Sequence, residues 1–118
     1  MPTLPFGKAV SEVNNKMRRA GRIVEEVIRC KWSIAILQCV RQGTCRPGAL
    51  EREIPGLTTK VMNERLRKLV KLGVLERVAY PEIPPRVEYH LTPFGTKFMQ
   101  VLDAIEALEE EIAAQANT

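Results

Sequence analysis

A chain of 118 residues with 45% hydrophobic and 27% charged side chains suits one ordinary domain with its own core, and excludes a disordered or fibrous protein. No apolar run approaches the ~20 residues of a membrane helix, and the first eight residues lack a basic flank followed by a long apolar stretch, so a cytoplasmic chain with no membrane partner is expected. The net charge of +4 is uneven: residues 1–29 carry six Lys/Arg against three Glu, residues 30–91 eleven against six acids, and residues 92–118 one against five. A basic front three-quarters suggests a polyanion partner, nucleic acid first, with a solvated basic surface as the alternative.

Taken in chain order, Val13, Met17, Ala20, Val24 and Val27 recur at helical spacing and predict a helix over residues 11–28 with Ser11 as its N-cap. Residues 31–41 are apolar nearly all round and predict a central core helix. Pro47 suits the first turn of a short helix ending near Ile54, with Leu50 and Ile54 as its buried face. Pro55-Gly56 breaks the chain, Thr58 caps a further helix, and Leu57 packs on Met62 as a staple; this helix runs to Leu72 and stops at Gly73. Two helices joined so closely must cross steeply, as in a helix-turn-helix.

Beyond Gly73 the period changes. Residues 75–80 and 86–91 predict two strands, with Arg86, Glu88 and His90 on one face of the second and Val87, Tyr89 and Leu91 on the other. Three prolines between the strands imply a stiff, projecting hairpin tip. Thr92-Pro93 opens a last helix whose Phe98, Val101, Ile105, Leu108 and Ile112 form a two-heptad seam. That seam predicts a homodimer interface, joined by Val13, Met17 and Val24 of the first helix; packing on the chain's own core is the alternative.

The reactive inventory is poor for an enzyme: one His (His90), one Asp (Asp103) and two Ser. Cys30, Cys39 and Cys45 show neither C-x-x-C spacing nor a His nearby in sequence, so no metal, no cofactor and no catalytic residues are expected. The helix over residues 58–72 is the informative one. At about 100° per residue, Met62, Leu66, Leu69 and Val70 face inward, and Lys60, Glu64, Arg67 and Lys71 form the opposite stripe, flanked by Asn63 and Lys68. Two Lys and an Arg suit phosphates and guanine, and Asn suits adenine edges. Glu64 fits such a face if it pairs with Lys60 or Lys68, or accepts from cytosine.

Several stretches resemble the HxlR-type winged helix-turn-helix regulators: Lys31-Trp32 with its apolar helix, Pro55-Gly56-Leu57-Thr58-Thr59-Lys60-Val61-Met62, Arg65-Leu66-Arg67, Gly73-Val74-Leu75-Glu76-Arg77, Tyr80-Pro81-Glu82-Ile83-Pro84-Pro85-Arg86-Val87-Glu88-Tyr89 and Leu91-Thr92-Pro93-Phe94-Gly95. The resemblance spans residues 31–112. It implies an α+β winged helix-turn-helix over 1–118, with a two-stranded hairpin wing, an N-terminal helical extension over 1–29 and a C-terminal dimerisation helix over 93–115. It further implies a prokaryotic regulator that binds double-stranded DNA as a homodimer, on a pseudo-palindromic operator. By the resemblance Thr58, Thr59, Lys60, Asn63, Glu64 and Arg67 become the groove-facing set and Arg86 a phosphate or minor-groove contact of the wing, while Lys71 joins as a phosphate contact from the helix face alone; Arg65 reads as an internal ion pair as readily as a DNA contact.

Two departures from the family stand out. The thiol that oxidant-sensing members carry ahead of the Lys-Trp pair is missing around residues 19–22, and Cys30 stands where Gly is usual. Cys30 is the candidate redox sensor, although a small inert apolar group is the preferred reading. Residues 46–50 also depart from the family, which leaves the seating of the first helix of the pair open. A winged-helix adaptor for a protein partner and a sequence-indifferent architectural DNA binder are the rival functions.

Overall fold

A computed structural model describes residues 6–117; residues 1–5 and 118, which bear on the reading of the chain's start, lie outside the described part. Five helices and one hairpin follow in order: α1 (Phe6–Arg29), α2 (Ser33–Arg41), α3 (Pro47–Glu53), α4 (Thr59–Lys71), β1 (Leu75–Tyr80), β2 (Arg86–Leu91) and α5 (Pro93–Ala116). This is the α+β winged helix-turn-helix that the sequence predicts. Helix α1 begins five residues ahead of the expected start, so Ser11 lies inside it and caps nothing. Lys8 and Ala9 are good helix formers, and nothing between Phe6 and Ser11 stops the helix.

The core is built where apolar faces converge. Ile36 and Leu37 of α2, Leu50 of α3, Met62, Leu66 and Leu69 of α4, Val74 and Leu75 at the start of the hairpin, and Phe98, Met99 and Leu102 of α5 are all buried. Each such side chain contributes about 1.5–3 kcal/mol by leaving water. Leu57 and Met62 are buried together in this cluster, as the staple requires. Trp32 interrupts the expected helical run over 31–41: its φ of 79° is left-handed, and α2 starts only at Ser33. The chain must reverse between α1 and α2 within three residues, and this kink does so.

β1 and β2 pair antiparallel from Leu75 opposite Leu91 to Tyr80 opposite Arg86. The clean two-faced alternation expected of β2 is absent, because all six of its residues are half-buried. Helices α2, α3 and α5 pack against the strand, and Cys45 ahead of α3 accepts a backbone hydrogen bond from Tyr89 N at 2.7 Å. Both faces of β2 are therefore partly covered. The Thr92 hydroxyl starts α5 by accepting from Gly95 N at 2.8 Å and ties it to the hairpin by donating to Gly73 O at 2.6 Å.

The molecule is long for its size. Its radius of gyration is 18.2 Å and its extents 64 × 41 × 21 Å, against about 13.5 Å for the radius of a compact domain of this length. The excess comes from α1 and α5, whose outer halves leave the core: every described side chain from Val10 to Arg22 is exposed, as is every one from Glu106 to Asn117. No helix among the described residues is long and apolar enough to cross a membrane.

Candidate nucleic-acid interface

The helix pair α3–α4 sets one side of α4 on the core and leaves the other in solvent. Thr58 is extended and its hydroxyl accepts from Val61 N at 3.2 Å, so the cap is real. Thr58, Thr59, Lys60, Asn63, Glu64, Arg67 and Lys71 are all exposed, on one continuous face. Among the described residues no carboxylate lies within ion-pair distance of Lys60, Arg67 or Lys71. Three uncompensated cations on one helix face attract a polyanion, whereas a face laced with internal pairs would not.

Thr59, Lys68 and Arg65 beside this face have partners within the chain. The Thr59 hydroxyl donates to Glu51 of α3, so it offers a DNA phosphate no free proton. Glu64 pairs with neither Lys60 nor Lys68; Lys68 instead reaches across to Glu26 of α1, at 3.7 Å. Arg65, which the sequence leaves open between an internal ion pair and a DNA contact, makes a hydrogen bond to the backbone: its Nε donates to the Lys31 carbonyl at 3.0 Å.

Arg86 is the main departure from the expected site. Its guanidinium lies over the Tyr80 ring, 4.0 Å from the centroid, while Glu82 and Glu88 approach its nitrogens to 3.2 and 3.6 Å. The position directly opposite Tyr80 in the hairpin register imposes this stack. A half-buried arginine with two carboxylates and a ring around it is engaged within the base of the wing.

Arg77 is a second arginine of the hairpin, placed differently. It is exposed on β1, and with Asn63 and Arg67 of α4 it lines a hollow of about 210 Å³ between the recognition helix and the wing, floored by Val70 and Tyr89. Alternation along β1 carries no sign of this neighbourhood in the sequence. Only the packing of the hairpin on α4 brings Arg77 beside Arg67. The fold also brings Cys45 next to Glu88 and His90, a neighbourhood that the sequence spacing of the cysteines did not predict.

The expected dimer stripe divides in two. Val13, Met17, Val101, Leu108 and Ile112 are exposed, with Met17 at 66% and Ile112 at 59%. Val24 and Ile105 are half-covered by the chain's own core, and Phe98 is buried in it, so Phe98 belongs to the domain's interior and not to the exposed seam. Cys30 closes the last turn of α1, its amide donating to Glu26 O at 3.2 Å, and is half-buried. Cys39 faces Glu53, and burial together with that carboxylate pushes its thiol above the ordinary cysteine range.

The chain resembles known proteins over most of its length. A sequence model of the HxlR-like helix-turn-helix matches residues 27–117. The HTH-type transcriptional regulator YtfH of Escherichia coli K12 is 40% identical over 91 residues, which is 77% of this chain and 70% of that protein. The HTH-type regulator sll1512 of Synechocystis is 44% identical over 85 residues; the match spans 72% of this chain and 63% of that protein's length. Among solved structures, one from Enterococcus faecalis V583 described as a MarR-family transcriptional regulator superposes with a TM-score of 0.75 at 34% identity, over 83% of this chain and 89% of that one. The reduced form of the regulator YodB from B. subtilis gives 0.66 at 29% identity, over 78% and 86%. With its helix-turn-helix, its two-stranded wing and this match over more than half its length, the chain belongs to the HxlR-like helix-turn-helix family.

Proposed function

We propose that this member of a family of DNA-binding transcriptional regulators acts as a homodimer, placing α4 of each subunit in the major groove of a pseudo-palindromic operator. The observation that carries the reading is the cationic face of α4, where Lys60, Arg67 and Lys71 have no carboxylate within ion-pair distance among the described residues and Asn63 lies among them. Arg67 and Asn63 read base edges, since bidentate donors of these types match guanine and adenine. Lys60, Lys71 and Arg77 hold phosphates, and the Thr58 cap leaves the first amides of α4 directed at the backbone. Thr59 and Glu64 border this set; Arg86 acts by bracing the wing.

Dimerisation is supported by the apolar residues left exposed on the projecting halves of α1 and α5. Isolated helical arms with bare apolar stripes are marginal in water, and a second copy covering them removes the cost. Two α4 helices facing one side of the duplex then sit about one turn of DNA apart.

The test is fluorescence-anisotropy binding to the DNA upstream of the protein's own and neighbouring genes, against scrambled duplex, over a salt series. Specific binding tighter by about a thousandfold or more is expected. Equal, steeply salt-dependent affinity for every duplex would point to an architectural binder, and no binding at low salt to a protein-interaction module.

A further inference from the structure

At the base of the wing, 45 residues of sequence separation vanish. The backbone hydrogen bond from Tyr89 N to Cys45 O, at 2.7 Å, pins the segment before α3 alongside β2. Cys45 Sγ, a Glu88 carboxylate oxygen and an imidazole nitrogen of His90 consequently lie within 4.8 Å of one another, all three residues half-buried. His90 Nε2 already meets Glu88 Oε1 at 2.9 Å. Arg46 Nε at 3.8 Å and Arg86 Nε at 3.6 Å approach the other oxygen, Oε2, which leaves Oε1 to the imidazole.

We propose that Cys45, Glu88 and His90 form a binding site for a thiophilic divalent transition-metal ion of the zinc class. One thiolate, one imidazole and one carboxylate are the soft-to-borderline donors such ions select, and a single carboxylate is too few for calcium or magnesium. Bonds of about 2.0–2.3 Å set tetrahedral donors roughly 3.3–3.8 Å apart, so small side-chain rotations close the observed triangle around an ion, with water as the fourth ligand. Loading releases the Cys45 thiol proton to solvent, and the neutral imidazole keeps its proton on one ring nitrogen while the lone pair of the other binds the ion beside the thiolate. Glu88 then divides its charge between the ion and the two arginines. The bound ion ties the segment ahead of α3 to the wing, alongside the Tyr89–Cys45 backbone hydrogen bond and the Arg46–Glu88 ion pair.

The experiment is a Co2+ titration of the reduced full-length protein, freed of any histidine tag, followed by displacement with Zn2+. The expected result is a stoichiometric thiolate-to-metal charge-transfer band with tetrahedral d–d bands, abolished by Zn2+ and by Cys45→Ser, retained in Cys30→Ser and Cys39→Ser, and weakened at least about tenfold in His90→Gln. Zn2+ should also raise the melting temperature of the wild-type chain and leave that of Cys45→Ser unchanged. Absence of the band, its survival in Cys45→Ser, or its loss in Cys30→Ser alone would overturn the assignment; far-ultraviolet circular dichroism and the His90→Gln titration separate loss of the site from loss of the fold.

Discussion

Arg86 and Tyr80 face each other across the last pair of the hairpin, with the guanidinium 4.0 Å from the centre of the ring. The stack and the flanking Glu82 and Glu88 contacts give this arginine a bracing role at the root of the projecting tip. An exposed cation–π pair is worth about 0.5–1 kcal/mol, and partly exposed ion pairs no more than about 1 kcal/mol each. Arg86→Ala should therefore lower stability by roughly 1–2 kcal/mol, a fall in melting temperature of several degrees. Arg86→Lys should recover little, since Lys keeps the charge without the planar fork. A variant with wild-type melting that binds DNA with a reduced salt slope would return Arg86 to the phosphate contacts.

Arg67, Lys71 and Arg77 should separate by role. Arg67→Ala should cost about 1–3 kcal/mol on operator DNA and relax base preference at one position. Lys71→Ala and Arg77→Ala should weaken operator and scrambled duplex alike, each flattening the log–log salt slope by about one. The measurement is the anisotropy salt series on both duplexes. Equal losses for Arg67→Ala on the two would remove it from the base-reading set.

Much of this architecture is legible in the residues, and the gaps have identifiable causes. Strand limits follow from alternation bounded by Gly73, the prolines and Thr92, and they coincide with β1 and β2. Thr58 and Thr92 are recognisable as caps because each precedes a strong apolar period. The left-handed Trp32 stands between Lys31 and Ser33 at the head of the apolar stretch, where periodicity carries no sign of a kink. Arg86 reads as available until Glu82 and Tyr80 are seen to converge on it. Arg77, and the meeting of Cys45 with His90, depend on contacts between elements, which local pattern does not encode.

The thiols should label in an order set by their surroundings. Burial and the Glu53 carboxylate hold the Cys39 thiol above its ordinary range, so its reactive thiolate is scarce at neutral pH. Alkylation of Cys39 should be slower in the folded protein than in the denatured chain, and Glu53→Gln should speed it. Because the folded pKa is raised, the stability this thiol lends is present below the ordinary cysteine range and is lost as pH rises through the folded value. Cys39 labelling as fast in the native as in the denatured protein would contradict this packing. Cys30 labelling no faster than in the denatured chain would count against a sensor role there.

Gly95 sits in the first turn of α5, where a Cβ would fall inside the van der Waals shell of the Val74 carbonyl oxygen. That oxygen also accepts from Thr92 N at 3.1 Å, so the backbone has little room to retreat. Gly95→Ala should destabilise the domain by at least 1–3 kcal/mol, on the order of the usual overpacking cost, measured by chemical denaturation. Gly48→Ala, whose added methyl meets only the mobile end of Arg52 at 3.6 Å, is the control and should stay near wild type.

The divided stripe on α1 and α5 gives the sharpest test of assembly. Leu108 is 58% exposed and Phe98 only 4%, though both fall in one heptad pattern. If a second copy covers the outer stripe, Leu108→Glu places a charge against an apolar partner face and should halve the mass seen by analytical ultracentrifugation, with the fold intact by circular dichroism. Phe98→Ala should instead leave a cavity in the core and cost about 3–5 kcal/mol of folding stability. Dissociation by Leu108→Glu with unchanged melting of the monomeric domain assigns the stripe to the interface. A Leu108→Glu protein that keeps the dimer mass would place the subunit contact elsewhere and leave the projecting helices for another partner.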